Sequence, residues 1–160
     1  MNKILQLAMQ KILHEVTEGI HIVDKNGITL VYNSSMEKIE GLDANNVIGR
    51  HLLDVFKNWT TDNSTLLTAL ETGDVVTRQN QSYLNFKGKT ISTVNTTYPI
   101  IDKGRAVGAV EIATNFTDVS NMNEKIVELQ QQLITNVEKE KKPKQVIKKY
   151  TFDNLIGMDK

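Results

Sequence analysis

An acid stands in the middle of a β-favouring run, Ala109-Val110-Glu111-Ile112-Ala113-Thr114-Asn115. Strand alternation puts Val110, Ile112 and Thr114 on one face and Ala109, Glu111, Ala113 and Asn115 on the other. The first set is suited to packing under a flanking helix. The second leaves room beside a carboxylate, because Ala109 and Ala113 are small. A carboxylate taken out of water needs a cationic partner. The candidates are the ammonium or guanidinium group of a small ligand, or an internal partner such as Arg78, Arg105 or a lysine. A Glu111 open to solvent on a bare sheet face would need none. Thr93, Asn95 and Thr97 also share one strand face by period two, which gives a surface of hydroxyls and amides.

Catalysis finds little support. The 3 histidines, His14, His21 and His51, are too far apart to form a motif. Ser, His and Asp occur in no nucleophile arrangement. Gly104-Arg105-Ala106-Val107-Gly108 lacks the Lys-Ser/Thr of a phosphate loop. Cysteine is absent, which excludes disulfides, thiolate catalysis, iron–sulfur clusters and cysteine-based zinc sites. No ligand cluster for a structural metal is visible. His51 reads as a solvent-facing or core-satisfied side chain.

The chain bearing these residues has 160 positions, enough for one domain with extensions. Lys+Arg and Asp+Glu balance at 19 each, so no net field favours nucleic acid or an anionic membrane. No apolar run is long enough to span a bilayer. The N-terminal segment is broken by Gln6, Gln10, Lys11, His14 and Glu15, unlike a secretory signal. The expected location is the cytoplasm.

Residues 2–18 place Ile4, Leu5, Ala8, Ile12 and Val16 at helical spacing, with Gly19 closing an amphipathic helix. Ile20–Asp24 and Ile28–Tyr32 around Lys25-Asn26-Gly27 predict a hairpin. Ser34 with Glu37 has the capping-box spacing for a helix closed by Gly41. Asp43 is suited to cap Ala44–Ile48, closed by Gly49. Asp62 or Ser64 is suited to cap Thr65–Thr72, closed by Gly73. Val75–Phe86, Thr90–Ile100 and Ala106–Phe116 predict a three-strand meander. The order predicts an α+β fold, one antiparallel sheet with short helices mainly on one face.

Beyond the last strand, Val119, Met122, Ile126, Leu129 and Leu133 fall at alternating spacings of 3 and 4, continued by Asn136. This heptad seam predicts either a parallel two-stranded coil over 119–138 or a helix folded back on its own domain. Lys139–Lys149 contains Pro143, expected to end or kink the helix, and reads as a solvated linker.

These stretches resemble a PAS sensor domain. The resemblance is carried by Gly19–Gly27, Val31–Phe56 with Val47-Ile48-Gly49-Arg50, Phe86–Ile100 and Val107–Asp118, so the sensor domain is placed at 19–118. Asn115-Phe116-Thr117 resembles the family's Asp-Ile-Thr exit from sheet to helix, with Asn in place of Asp. That departure removes the negative charge an ion pair to the output helix would use. Tyr150–Gly157 resembles the opening of the ATPase domain of sigma-54-dependent transcriptional activators, placed at 150–160. Within that family the likeness is to arginine-utilisation regulators.

The resemblance implies a PAS fold with a five-stranded antiparallel sheet, and homodimers through flanking helices with Met122, Ile126, Leu129 and Leu133 at the pairing seam. It further implies control of a downstream AAA+ ATPase and a DNA-binding domain. It places Glu111, Asn95, Thr93, Asn85, Thr97 and Ala113 around a ligand cavity, with Tyr83 and Phe86 as packing. A cavity so rich in hydroxyls and amides suits a small polar metabolite such as arginine, ornithine or citrulline. No flavin photochemistry is expected without a cysteine, and no haem. No enzyme activity, membrane contact or direct nucleic-acid contact is expected of these residues. Two other functions fit the same pattern: a ligand-free structural PAS dimerisation module, and the PAS sensor of a histidine kinase.

Overall fold

The computed structural model describes residues 1–158; for residues 79, 80 and 142–158 it describes the backbone alone. The expected opening of an ATPase domain at 150–160 therefore lies partly outside the described residues. Five strands, β1 (Gly19–Asp24), β2 (Thr29–Tyr32), β3 (Val76–Leu84), β4 (Thr90–Asp102) and β5 (Arg105–Asn115), form one antiparallel sheet in the order β2-β1-β5-β4-β3. The predicted hairpin and meander are both present. The join between them is β1 against β5, with His21 opposite Glu111.

Helix α1 (Lys3–Glu15) stops before the residue expected to close it. Val16 is already extended, because Asn33 and two serines hold the next turn of chain elsewhere. The Asn33 amide donates to the carbonyls of Leu13 and Glu18, while Ser34 and Ser35 donate to those of His14 and Val16. Asn33 also caps α2 (Ser34–Glu40), its Oδ1 accepting from the amides of Met36 and Ile20. The capping box expected at Ser34 is thus displaced by one residue. Glu37 instead accepts from the amide of Ala44 at 2.6 Å. Gly41 ends α2 with φ +72° and Gly73 ends the later helix Thr65–Thr72 with φ +71°, a left-handed turn that glycine adopts without a Cβ clash.

Asp43 caps a single 3₁₀ turn at Ala44–Asn46, shorter than the predicted segment. A further helix, α3 (Leu52–Val55), starts at His51, whose Nδ1 accepts from the amide of Leu53. This gives His51 a capping role that spacing did not reveal. Ser64, not Asp62, caps α4 (Thr65–Thr72).

The core lies between these helices and one face of the sheet, built from Val23, Met36, Ile39, Val47, Leu52, Phe56, Leu66, Ala69, Ile91, Ala109 and Ala113. The helices cover the face carrying Ala109, Glu111 and Ala113, not the Val110–Ile112 face expected to receive one. Small side chains let α4 come close, and Thr65 at its first turn reaches Glu111. Val110 and Ile112 remain half-buried.

The chain divides into two compact units, Met1–Asp118 and the residues from Val119 on. Helix α5 (Thr117–Met158) passes Pro143 without ending. The linker expected at 139–149 is helical backbone. Val119, Met122, Ile126, Leu129 and Leu133 are all exposed, at 47–66%.

Candidate functional site

Strand register decides which predicted residues meet. Residues paired across antiparallel strands point to the same face. One row crosses all five strands: Tyr32, His21, Glu111, Thr97 and Val76. The neighbouring row is Gly19, Ala113, Asn95 and Arg78. Thr93 lies one pair further along β4, opposite Asn115 and Gln81. The Glu111 face is therefore polar through its centre, although it is the covered face.

Glu111 is 4% exposed. Its Oε2 accepts from the Thr65 hydroxyl at 2.7 Å, and Thr65 in turn accepts from Thr97 at 2.9 Å. Burial pushes the Glu111 carboxyl above its ordinary range; Thr65, the charge of Arg78 and Thr97 oppose the rise without cancelling it. Among the described residues no cation lies within ion-pair distance of it, the two ion pairs being Lys11–Glu15 and Lys125–Glu128. Neither Arg105, which is exposed, nor Arg78 closes such a pair.

Among the described residues three buried polar atoms lack partners: Tyr32 Oη, Thr93 Oγ1 and Asn95 Oδ1. They belong to the same covered face. A native interior leaves few such atoms unpaired, so their gathering on one face singles it out as the candidate site. His21 shares the row. Its Nε2 lies 2.9 Å from Thr29 Oγ1, and its ring meets Tyr32 edge-on at 5.1 Å. Burial lowers His21 to about 4, so it is neutral near pH 7.

Beside this polar cluster a cleft of about 690 Å³ opens between β3, the end of α2 and the loop after α3. Its walls include Glu40, Arg78, Tyr83, Asn85 and Asn95. Phe56 and Trp59 stack at 4.1 Å, and Phe86 meets Phe56 edge-on at 5.7 Å. Glu40 was not singled out by sequence reasoning, yet it is 8% exposed and accepts from the Tyr83 hydroxyl at 2.8 Å. Burial raises it to about 7; the Tyr83 hydrogen bond pulls it down and the charge of Glu111 adds to the rise. Its signal in the sequence was the spacing Met36, Ile39, Glu40, a buried helical face that includes an acid.

The predicted residues divide into three groups. Glu111 and Thr97 meet in a buried hydrogen-bonded chain, with Thr65 as an unpredicted partner between them. Asn95 borders the cleft, while Thr93 and Ala113 are buried at 1% each. Asn85 borders the cleft too, but its side chain is occupied. Its amide donates to Ile39 O and its oxygen accepts from the amides of Lys87 and Lys89. Asn85 therefore staples the β3–β4 turn to α2. Tyr83 does more than the packing expected of it, through Glu40. Among the described residues there is no cluster of three or more metal-ligating side chains. At the exit, Asn115 Oδ1 accepts from the amide and hydroxyl of Thr117, so an amide bonds the first turn of α5 where the family's pattern has an acid.

A family model described as the PAS fold matches residues 7–114. The transcriptional activator RocR of Bacillus subtilis (strain 168) is 37% identical over 156 residues. That alignment takes in 98% of this chain and 31% of RocR, so the chain spans about a third of its relative's length. A PAS-domain crystal structure from Colwellia psychrerythraea superposes with a TM-score of 0.56 at 20% identity, covering 71% of this chain and 98% of the other. An RNA-binding light-oxygen-voltage receptor gives 0.61 at 17% identity, covering 82% and 38%. At those identities the structural likenesses speak to the fold alone.

Proposed function

The chain belongs to the PAS family, and from that premise we propose that it is the signal-sensing and dimerisation module of a sigma-54-dependent transcriptional activator. In this reading it binds a small polar metabolite on the helix-covered face of the sheet and regulates a downstream AAA+ ATPase. Arginine, ornithine and citrulline are the candidate ligands. The observation that carries the reading is Glu111, a buried acid on a face with three unpartnered polar atoms and no ion-paired cation among the described residues. A ligand offering N–H donors supplies what that face lacks. The likeness to RocR supports a transcriptional activator over a histidine kinase.

Mechanistically, ligand binding favours one arrangement of sheet and flanking helices, and α5 carries that bias onward. The shift is limited to the ligand's differential affinity for the two arrangements. Homodimers form through the exposed seam of Met122, Ile126, Leu129 and Leu133. The regulatory module works in the cytoplasm; no described helix is long and apolar enough to cross a membrane.

A second reading, a ligand-free dimerisation module, draws support from Thr65, which already bonds Glu111. Titration calorimetry of the 160-residue chain with L-arginine, L-ornithine and L-citrulline separates the two. Heat with any of them that is lost in Glu111→Gln supports sensing. Silence with all three removes it and leaves the dimerisation module.

A further inference from the structure

The cleft carries opposite charges at separate places. Glu40 sits at its α2 wall, fixed by Tyr83, and Arg78 sits on β3. Tyr83 pairs with Ile91 and Arg78 with Asn95, four positions apart on β4. At 3.2–3.4 Å per residue those pairs are about 13 Å apart along the strand. The two charges do not meet as an ion pair and stand at separate ends of the cleft wall. An α-ammonium and an α-carboxylate are bonded to one carbon and cannot reach both. A ligand whose cation lies at the far end of a side chain can.

The acceptors and donors are placed to match. The Glu40 carboxylate accepts one hydrogen bond among the described contacts, which leaves it room for N–H donors, while the unpartnered Asn95 Oδ1 lies at the Arg78 end. Arg78 offers donors and has no ion pair among the described residues. Phe56 and Trp59, stacked in the wall, provide an aromatic surface against which a cation or a planar group is favourable.

We infer that Glu40 receives the terminal cation of the ligand and Arg78 its carboxylate, so that the cleft selects a free amino acid with a cationic side-chain end. This rests on the metabolite-sensing reading above and sharpens it, moving the contact with the cation from Glu111 to an acid that lines the cleft. Glu111, bonded to Thr65 and outside the cleft lining, then acts on Glu40 through its charge. Tyr83 from β3 bonds Glu40, Glu111 from β5 acts on it through its charge, and the Glu40 charge in turn acts on Tyr32 from β2; Arg78 and Lys57 line the same cleft, and Glu37 lies on its own helix. Burial raises Glu40 to about 7. Pairing with a cation requires its ionised form, so binding releases a proton and tightens as pH rises.

The test is titration calorimetry of the 160-residue chain, wild type, Glu40→Gln, Arg78→Gln and Glu111→Gln, with four probes at pH 6 and pH 8. L-Arginine carries both charges, L-citrulline lacks the terminal cation, agmatine lacks the carboxylate, and L-alanine lacks the side-chain end. Wild type is expected to prefer L-arginine over all three. Glu40→Gln should weaken L-arginine about tenfold or more, the scale of one charge-assisted hydrogen bond, and abolish its gain between pH 6 and pH 8. Retained L-citrulline binding by that variant shows that it is folded. Arg78→Gln should bring L-arginine down to the level of agmatine. Undiminished L-arginine binding by Glu40→Gln, with loss only in Glu111→Gln, overturns this inference and leaves the sensing reading standing. Equal binding of agmatine and L-arginine by wild type overturns it as well. If no probe binds wild type, both readings fall together.

Discussion

Replacing Glu40 by Gln should stabilise the protein at alkaline pH and change little in acid. Glu40 is raised from 4.5 to about 7 by burial, the Tyr83 hydrogen bond only partly opposing it. The folded state thus holds a proton between pH 4.5 and about 7 that the unfolded chain has released. Stability contributed at this site is therefore lost as pH rises through that window, and the loss is complete above the folded value. Each unit is worth about 1.4 kcal/mol, so a shift of this size comes to about 3 kcal/mol. Slight exposure and relaxation of the cleft bring the expected effect to about 2–3 kcal/mol. Gln keeps the shape and an oxygen for the Tyr83 hydroxyl, without the ionisation. Urea unfolding at half-unit steps from pH 4.5 to 8.5 measures the difference, followed by the fluorescence of Trp59. It is the only tryptophan and it stacks on Phe56 within the cleft wall. The advantage of Glu40→Gln should be small at the acid end, grow through pH 5–7 and level off above. A difference that stays constant with pH, or one that shrinks as pH rises, refutes the reasoning.

His21 gives the opposite slope. Its value of about 4 means that the native state resists protonation, so stability attributable to it is lost as pH falls from 6.5 towards 4, an effect that His21→Gln should remove in the same titration. Thr65→Val takes away the donor to Glu111 and the link to Thr97, and should lower unfolding free energy by about 1–3 kcal/mol in chemical denaturation. Asn33→Ala removes the α2 cap and the bonds to Leu13, Glu18 and Ile20, and should cost about 2–4 kcal/mol, seen as a lower melting temperature. Leu129→Asp places a charge on the exposed seam of α5, and sedimentation should then find monomers where wild type forms dimers; an unchanged mass would remove that seam as the interface.

Much of the fold was legible because its cues are local. The turn at Lys25-Asn26-Gly27, the β-rich texture from Val75 on and the glycines after each short helix all act within a few residues. Period two placed Thr93, Asn95 and Thr97 on one face and Glu111 with Ala113 on another run. Local cues misled where two signals competed. Ser34 and Glu37 have capping-box spacing, but Asn33 stands one residue earlier and makes more bonds. Pro143 is a helix breaker, yet α5 continues through it. Glu40 escaped notice because an acid next to a helix-closing glycine reads as solvated surface. Only the packing of Met36 and Ile39 against the sheet, with Tyr83 arriving from β3, makes it a buried group.

By itself the sequence determined the kind of elements, their order, the absence of thiol chemistry and the presence of an acid flanked by small residues. These follow from composition and short-range spacing. Tertiary structure decided which face of the sheet is covered. It also decided that Glu111 bonds Thr65 from a helix 46 residues away in sequence, and that a second acid shares a cleft with Arg78. Those relations depend on β1 docking beside β5 and on how closely α2 and α4 approach the sheet. Gly19, where a Cβ would meet Ile39 and Met36, and the small side chains of Ala109 and Ala113 permit that approach. A side chain's ionisation is set by what surrounds it, and for Glu40 and Glu111 those surroundings come from strands and helices far apart in the chain.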